Sequence, residues 1–279
     1  MRYAVKTAPH HCTWTEMLDA WRAADEIELF ESAWNFDHFY PLVGDTAGPC
    51  LEGWVTLSAL AQATSRIRVG CMVNGIHYRH PAVVANMAAS LDIVAGGRFE
   101  LGLGAGWHEG ESSAYGIELG TLTERFDRFD EGVEVIDRLL TQEVTSFQGD
   151  YVTITDAHCE PKPVQRPRPP IVIGGGGERR TLRTVARQAD HWNLPRATPE
   201  VFTQKLEVLL GHCDAEGRDP ATITRSVQVR IADGADGPAR AVEAARALGD
   251  VGVDLAIFQL PQPYRPASVE DLAAVLASS

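Results

Sequence analysis

The chain has 279 residues, 44% hydrophobic and 23% charged, with a formal net charge of −13. Such a composition suits a globular protein, and the acidity argues against general binding to nucleic acid or to an anionic membrane. The five cysteines, Cys12, Cys50, Cys71, Cys159 and Cys213, are scattered and form no Cys-x-x-Cys pair, so neither a disulfide framework nor a zinc site is expected. The first residues, Met1 to Lys6, carry no signal-peptide pattern, and no apolar stretch is long enough to span a bilayer; a cytoplasmic location is expected.

Strand-like and helix-like segments alternate along the chain. The first strand is predicted near Tyr3–Val5, followed by a helix from Thr15 with Thr13 and Glu16 spaced as a capping box. Strand two covers Ser32–Phe36, and the next helix places Trp54, Leu57 and Ala61 on one face. Strand three is Ile67–Met72. Its helix opens at Pro81, a favourable first-turn position, and ends at Gly96-Gly97. Strand four is Phe99–Leu103, and a long helix runs from Thr121 to Leu140 with Phe126, Phe129, Val133 and Ile136 on its apolar stripe.

Val144–Thr155 breaks the alternation, because Gln148-Gly149-Asp150 reads as a turn between two short β runs. Strand five follows at Pro170–Ile173, strand six at His191–Leu194, strand seven at Val227–Ile231 and strand eight at Leu255–Leu260, each with a helix behind it. Eight β-then-α units in one chain of about 250–280 residues imply a closed (β/α)8 barrel, a TIM barrel, with a β-hairpin excursion before strand five. No boundary divides residues 1–279 into two domains, so a single domain is expected.

Barrel chemistry belongs at the C-terminal ends of the strands. The unusual residues of this chain gather there: Asp37 and His38 after strand two, Cys71, Met72 and Asn74 at strand three, Gly104 to Glu109 after strand four, Gly174 to Glu178 after strand five, and Asn193 on strand six. His38 is suited to move a proton near neutral pH, although a structural histidine in a capped turn has the same sequence. Asp37 could orient it or bond a ligand. Glu109 and Glu111 could serve as acids, but a solvated loop is the reading preferred.

Gly174, Gly175, Gly176 and Gly177 precede a helix, and four glycines in succession exceed what a tight turn requires. They free the backbone to aim N–H groups at a phosphate, with Arg179 and Arg180 close by. The Lys-Ser/Thr pair of a P-loop is missing, and the glycines around Gly104 sit too deep in the chain for a Rossmann fingerprint. His10-His11 lacks the His-x-His pattern of barrel metal sites, so no metal is expected. Tyr78-Arg79-His80-Pro81 reads as a structural helix opening, with Arg79 a candidate for a salt link.

As a set, Phe36-Asp37-His38-Phe39, Tyr78-Arg79-His80-Pro81-Ala82, Gly97-Arg98-Phe99, Gly102 to Trp107, Gly174 to Gly177 and Ala189-Asp190-His191-Trp192-Asn193 resemble the luciferase-like monooxygenase superfamily, in its deazaflavin (coenzyme F420)-dependent actinobacterial branch. The resemblance runs in order along nearly the whole chain. It implies a (β/α)8 barrel, a homodimer, and a deazaflavin lying across the strand ends. Asp37 and His38 would contact the ring, with His38 near the reacting carbon. Cys71-Met72 matches the place of a non-proline cis peptide behind the ring, and Asn74, Gly106 and Trp107 would line the ring and the pocket. Gly174 to Gly177 would cradle the cofactor's phosphate.

The resemblance thus implies an F420-dependent oxidoreductase acting on a small organic substrate. FMN-dependent monooxygenation, or cofactor binding without turnover, are the alternatives. One departure concerns substrate. Related sugar-phosphate dehydrogenases carry a catalytic glutamate where this chain has Trp107, and their late lysine and arginine are not identifiable here. A more apolar substrate is therefore expected.

Overall fold

Short runs of β-branched and aromatic residues, separated by polar helices, leave each strand with two faces to bury. A barrel meets that demand by filling its lumen from one face and covering the other with helices. In the computed structural model, which describes residues 1–278, the chain opens with β1 (Arg2–Lys6), α1 (Trp14–Glu26), β2 (Phe30–Asn35), α2 (Gly53–Ala63) and β3 (Arg68–Cys71). A two-residue strand β4 (Asn74–Gly75), α3 (Pro81–Val94), β5 (Phe99–Gly104), a short α4 (Glu109–Ala114) and α5 (Leu122–Thr141) follow. An antiparallel hairpin of β6 (Thr145–Gln148) and β7 (Thr153–Ala157) leads to β8 (Ile171–Gly174), α6 (Thr181–Gln188), β9 (His191–Leu194) and α7 (Pro199–Glu216). The chain closes with β10 (Thr224–Arg230), α8 (Gly237–Asp250), β11 (Leu255–Gln259) and α9 (Pro266–Ser278).

Eight parallel strands, β1, β2, β3, β5, β8, β9, β10 and β11, form the closed barrel, and β3 pairing with β5 shuts the ring. The expected (β/α)8 architecture and the hairpin before the fifth barrel strand are both present. Alternation along the strands sets the two cores. Ala4, Trp34, Val172, Leu255 and Ile257 fill the lumen, while their neighbours Val5, Ala33, Ile171, Ile173 and Phe258 face the helices. Gly70 is glycine because a Cβ there would come within 2.3 Å of the Trp34 indole, which occupies the lumen.

Local signals act where the sequence places them. Thr13 and Glu16 make the reciprocal capping box of α1, and Thr121 with Glu124 makes another on α5. Gly217 ends α7 in a left-handed conformation at φ 64°. The hairpin turn is anchored from outside: Glu131 of α5 accepts from the N–H groups of Asp150, Tyr151 and Val152.

Two features differ from the sequence expectation. Residues 109–114 form helix α4 instead of a solvated loop, capped by the His108 side chain, which accepts from the Glu111 N–H. In the lumen, Glu100, His191 and Ser226 also form an acid–histidine–serine chain, with His191 bonded to Glu100 at 3.3 Å and to Ser226 at 2.6 Å. Ser226 is fully buried, so this chain ties β5, β9 and β10 together and does not meet a substrate.

Candidate active site

The strand ends and the loops beyond them enclose a cavity of about 540 Å3. Its wall collects most of the residues singled out from sequence: Asp37, His38, Met72, Asn74, Gly106, Trp107, Gly174 and Gly175. It also holds Lys6, His77, Gln228 and Gln259, which sequence reasoning missed.

His38 is the best-connected of these. Its Nδ1 lies 2.7 Å from Glu111 Oε2, and the Glu111 carboxylate is fully buried. The same carboxylate accepts from the Phe39 N–H at 2.5 Å and from the Tyr78 hydroxyl. Burial alone would raise the Glu111 pKa. The bonds from His38, Tyr78 and Phe39 overcome it and hold the carboxylate at about 2. A permanent acceptor on Nδ1 fixes the proton there and leaves Nε2 as the nitrogen free to take or give one. Phe36 and Trp107 both meet the His38 ring edge-on, at 5.1 and 5.7 Å between centroids.

This corrects two expectations. The residue that orients His38 is Glu111, not Asp37. Asp37 is buried and turned to Arg79, whose guanidinium donates to both its oxygens and also to Glu52. The salt link assigned to Arg79 is therefore real, and it occupies the carboxylate that was expected to meet a ligand. Glu109, in contrast, is exposed. The sequence signal for Glu111 was present but weak: a His-x-x-Glu start to a short helix, directly after the glycines of the fourth barrel strand.

The third strand ends in an irregular bulge. A non-proline cis peptide lies at Met72–Val73, one bond beyond the Cys71-Met72 position expected from the resemblance. Cys71 itself is buried and does not line the cavity. Its carbonyl lies so close to Gly102 that a Cβ there would sit 1.9 Å away. Asn74 donates from its amide to the Gly102 carbonyl, while its Oδ1 is buried without a partner. His77 likewise bonds Ser112 through Nε2 and leaves Nδ1 buried without one. Burial keeps His77 neutral, with its pKa near 4 despite the opposing pull of Glu111. Gly106, at φ 85°, lies against the His77 ring; a Cβ there would approach it to 2.4 Å.

The glycine run is divided between two places. Gly174 and Gly175 line the main cavity, whereas Gly176 and Gly177 line an adjoining groove with Arg179, Arg180 and Lys205. Arg180 is not free for a phosphate, because Asp127 and Asp130 of α5 hold its guanidinium at 2.7 and 2.8 Å. Arg179 and Lys205 remain as the cations at this mouth, Lys205 carrying a half-buried pair with Glu178. Packing also asks for small residues here, since a Cβ on Gly176 would strike Leu194 and one on Gly177 would strike Thr181.

Comparisons with known proteins agree with the fold. A family model described as luciferase-like monooxygenase matches residues 1–273. The chain is 31% identical over 248 residues to an uncharacterized protein of Mycobacterium tuberculosis, covering 85% of this chain and 83% of that one. It is 33% identical over 223 residues to the F420-dependent hydroxymycolic acid dehydrogenase of the same organism, covering 80% of this chain and 60% of that one. Among solved structures, an F420-dependent secondary alcohol dehydrogenase in complex with an F420–acetone adduct superposes with a TM-score of 0.87 at 18% identity, over 99% of this chain and 98% of that one.

Proposed function

This chain belongs to the luciferase-like monooxygenase family, and on that premise we propose that it is an oxidoreductase exchanging a hydride between coenzyme F420 and a small organic substrate. The observation that carries the proposal is His38, held by Glu111, on the wall of a cavity that also presents two buried polar atoms without partners, Asn74 Oδ1 and His77 Nδ1. Buried orphans such as Asn74 Oδ1 and His77 Nδ1 cost free energy unless a ligand or water completes them. A flat ring with polar edges fits that need. Several relatives that the chain resembles over about three quarters of its length or more are named for F420, which supports this coenzyme over FMN.

Asn74, Met72, Gly106 and the Gly174–Gly175 end would hold the ring, and Gly176, Gly177, Arg179 and Lys205 would meet its phosphorylated tail. When bound, the deazaflavin supplies two-electron hydride chemistry at its ring carbon. The protein supplies the proton. Glu111 keeps His38 in one tautomer, and Nε2 takes or delivers the proton at the substrate oxygen. Trp107, which stands where the sugar-phosphate dehydrogenases carry glutamate, contributes an apolar wall beside that ring and no proton. The acid–base task thus falls to His38 with Glu111 behind it. Asp37 acts through the chain path: its ion pair with Arg79 fixes the backbone next to His38.

Fluorescence titration with F420 tests the cofactor, and quenching at micromolar concentration or below is expected. Tight FMN binding without F420 binding would overturn the proposal. Turnover is tested by F420 reduction with a panel of secondary alcohols and by F420H2 oxidation with the matching ketones. F420 binding with no exchange across both panels would leave a binding protein.

A further inference from the structure

Lys6 is the last residue of β1, and with Ala4 it belongs to the inward-facing set of that strand. It lines the main cavity from its floor. Its ammonium donates to the Met72 carbonyl at 3.1 Å and to Gln228 Oε1 at 2.8 Å. An ammonium has three N–H donors, so one remains. Both partners are neutral. No carboxylate pairs with Lys6 among the described residues, although the side chain is half-buried. Burial, opposed by Cys71 and reinforced by Arg196, lowers its pKa to about 8, so the charge is retained at neutral pH without a counter-ion.

From Lys6 a second groove leads away from the glycine run, toward the ends of β10 and β11. It shares Lys6, Phe36, Leu42, Arg196 and Gln259 with the main cavity, so the two are continuous. Arg196, just after β9, and Arg230, the last residue of β10, stand along it. Neither has an ion-pair partner among the described residues. Asp233 also lines the groove and pairs with none of the three. In a chain of net charge −13 that ties most of its buried or half-buried arginines to carboxylates, the unpaired Lys6 is a departure, and the exposed Arg196 and Arg230 extend its positive charge along the groove. Phe36, Leu42 and Leu260 supply an apolar wall between them.

We propose that this groove is the substrate site, and that it selects a substrate with an apolar body and one anionic end, a carboxylate or a phosphate, held by Lys6 and Arg196. The inference rests on the F420 reading only in calling the ligand a substrate. It adds an anionic end to the more apolar substrate expected from sequence. Charge-assisted hydrogen bonds to an anion are among the stronger single contacts a site can offer.

Calorimetric titration with butyrate, butyl phosphate and 1-butanol tests the site, on wild type and on Lys6→Met and Arg196→Gln. One of the two anions is expected to bind wild type, the other more weakly, and butanol at least tenfold more weakly. Each variant should lose roughly tenfold in anion affinity, the worth of one charge-assisted bond. F420 affinity, read by fluorescence, should change less than threefold. Arg196 is exposed, so its variant folds even where Lys6→Met does not. Equal binding of butanol and the anions, or unchanged anion affinity in Arg196→Gln, would overturn the inference. So would a loss of F420 affinity as large as the loss of anion affinity, which would assign the cations to the cofactor. If wild type binds the anion but not F420, the groove stands and the F420 proposal falls.

Discussion

Glu111 Oε2 lies 2.7 Å from His38 Nδ1, joining a residue of the second barrel loop to one on a short helix 73 positions later in the chain. One carboxylate serves three donors, so it both orients the histidine and pins the loop from His38 to Phe39. Glu111→Gln keeps the size but loses the charge. Turnover should fall by about 10²-fold, the usual scale for losing an oriented proton-transfer group, with F420 affinity within about threefold. Nitrogen NMR of His38 should lose the single Nδ1–H tautomer. A normal tautomer with normal turnover would remove Glu111 from the proposed mechanism.

His38→Ala separates catalysis from binding. Hydride exchange should drop far more than cofactor affinity in a paired kinetic and fluorescence measurement. Equal losses would mean that His38 only holds the ring.

Arg79 joins Asp37 and Glu52, and the Asp37 carboxylate is fully buried. Burial raises the Asp37 pKa, and Arg79 works against that rise. Arg79→Met would leave a buried carboxylate uncompensated, at a cost of about 3–5 kcal/mol in chemical denaturation. Loss of less than about 1 kcal/mol would show that Asp37 is neutral without Arg79.

Gly106→Ala meets two obstacles at once. Its φ of 85° disfavours any side chain, and the new Cβ would press the His77 ring. Stability should fall by about 1–3 kcal/mol, with F420 binding weakened as His77 shifts. Thermal unfolding and fluorescence titration read the two effects.

The pH profile of stability follows from His10 and His77. Both are held near 4 in the fold, by burial first, with nearby His11 and His38 adding for His10. Their unfolded values lie near 6.5, so between the two the unfolded chain binds more protons and stability falls as pH drops. Glu111 extends the loss. Its folded value of about 2 is below the usual carboxylate range, so its contribution is complete above about 4.5 and disappears as pH falls toward 2. Unfolding temperature should decline from pH 6.5 to 4, and His77→Gln should flatten that decline. A flat profile in wild type would contradict the buried neutral histidines.

The sequence by itself determined the barrel. Period-2 strands alternating with amphipathic helices, Thr13 and Thr121 caps, Pro81 and Gly217 at helix ends are local signals, and local signals do not depend on what packs against them. The rim placement of His38, Met72, Asn74 and Trp107 followed from strand ends alone, because every strand of such a barrel points its C-terminus at one face. What only the tertiary structure decided is which charges meet. Asp37 looked like the partner of His38 because it is adjacent in sequence, yet adjacent residues leave a strand end in different directions. Arg79 took the aspartate and Glu111 the histidine, over separations of 42 and 73 residues. Arg180 was likewise claimed by Asp127 and Asp130. Lys6 carried a legible signal, a lysine on the lumen face of a strand, but its meaning depends on no carboxylate pairing with it among the described residues. Pairing of that kind is set by the closure of the ring, which brings β1, β9 and β10 to one wall.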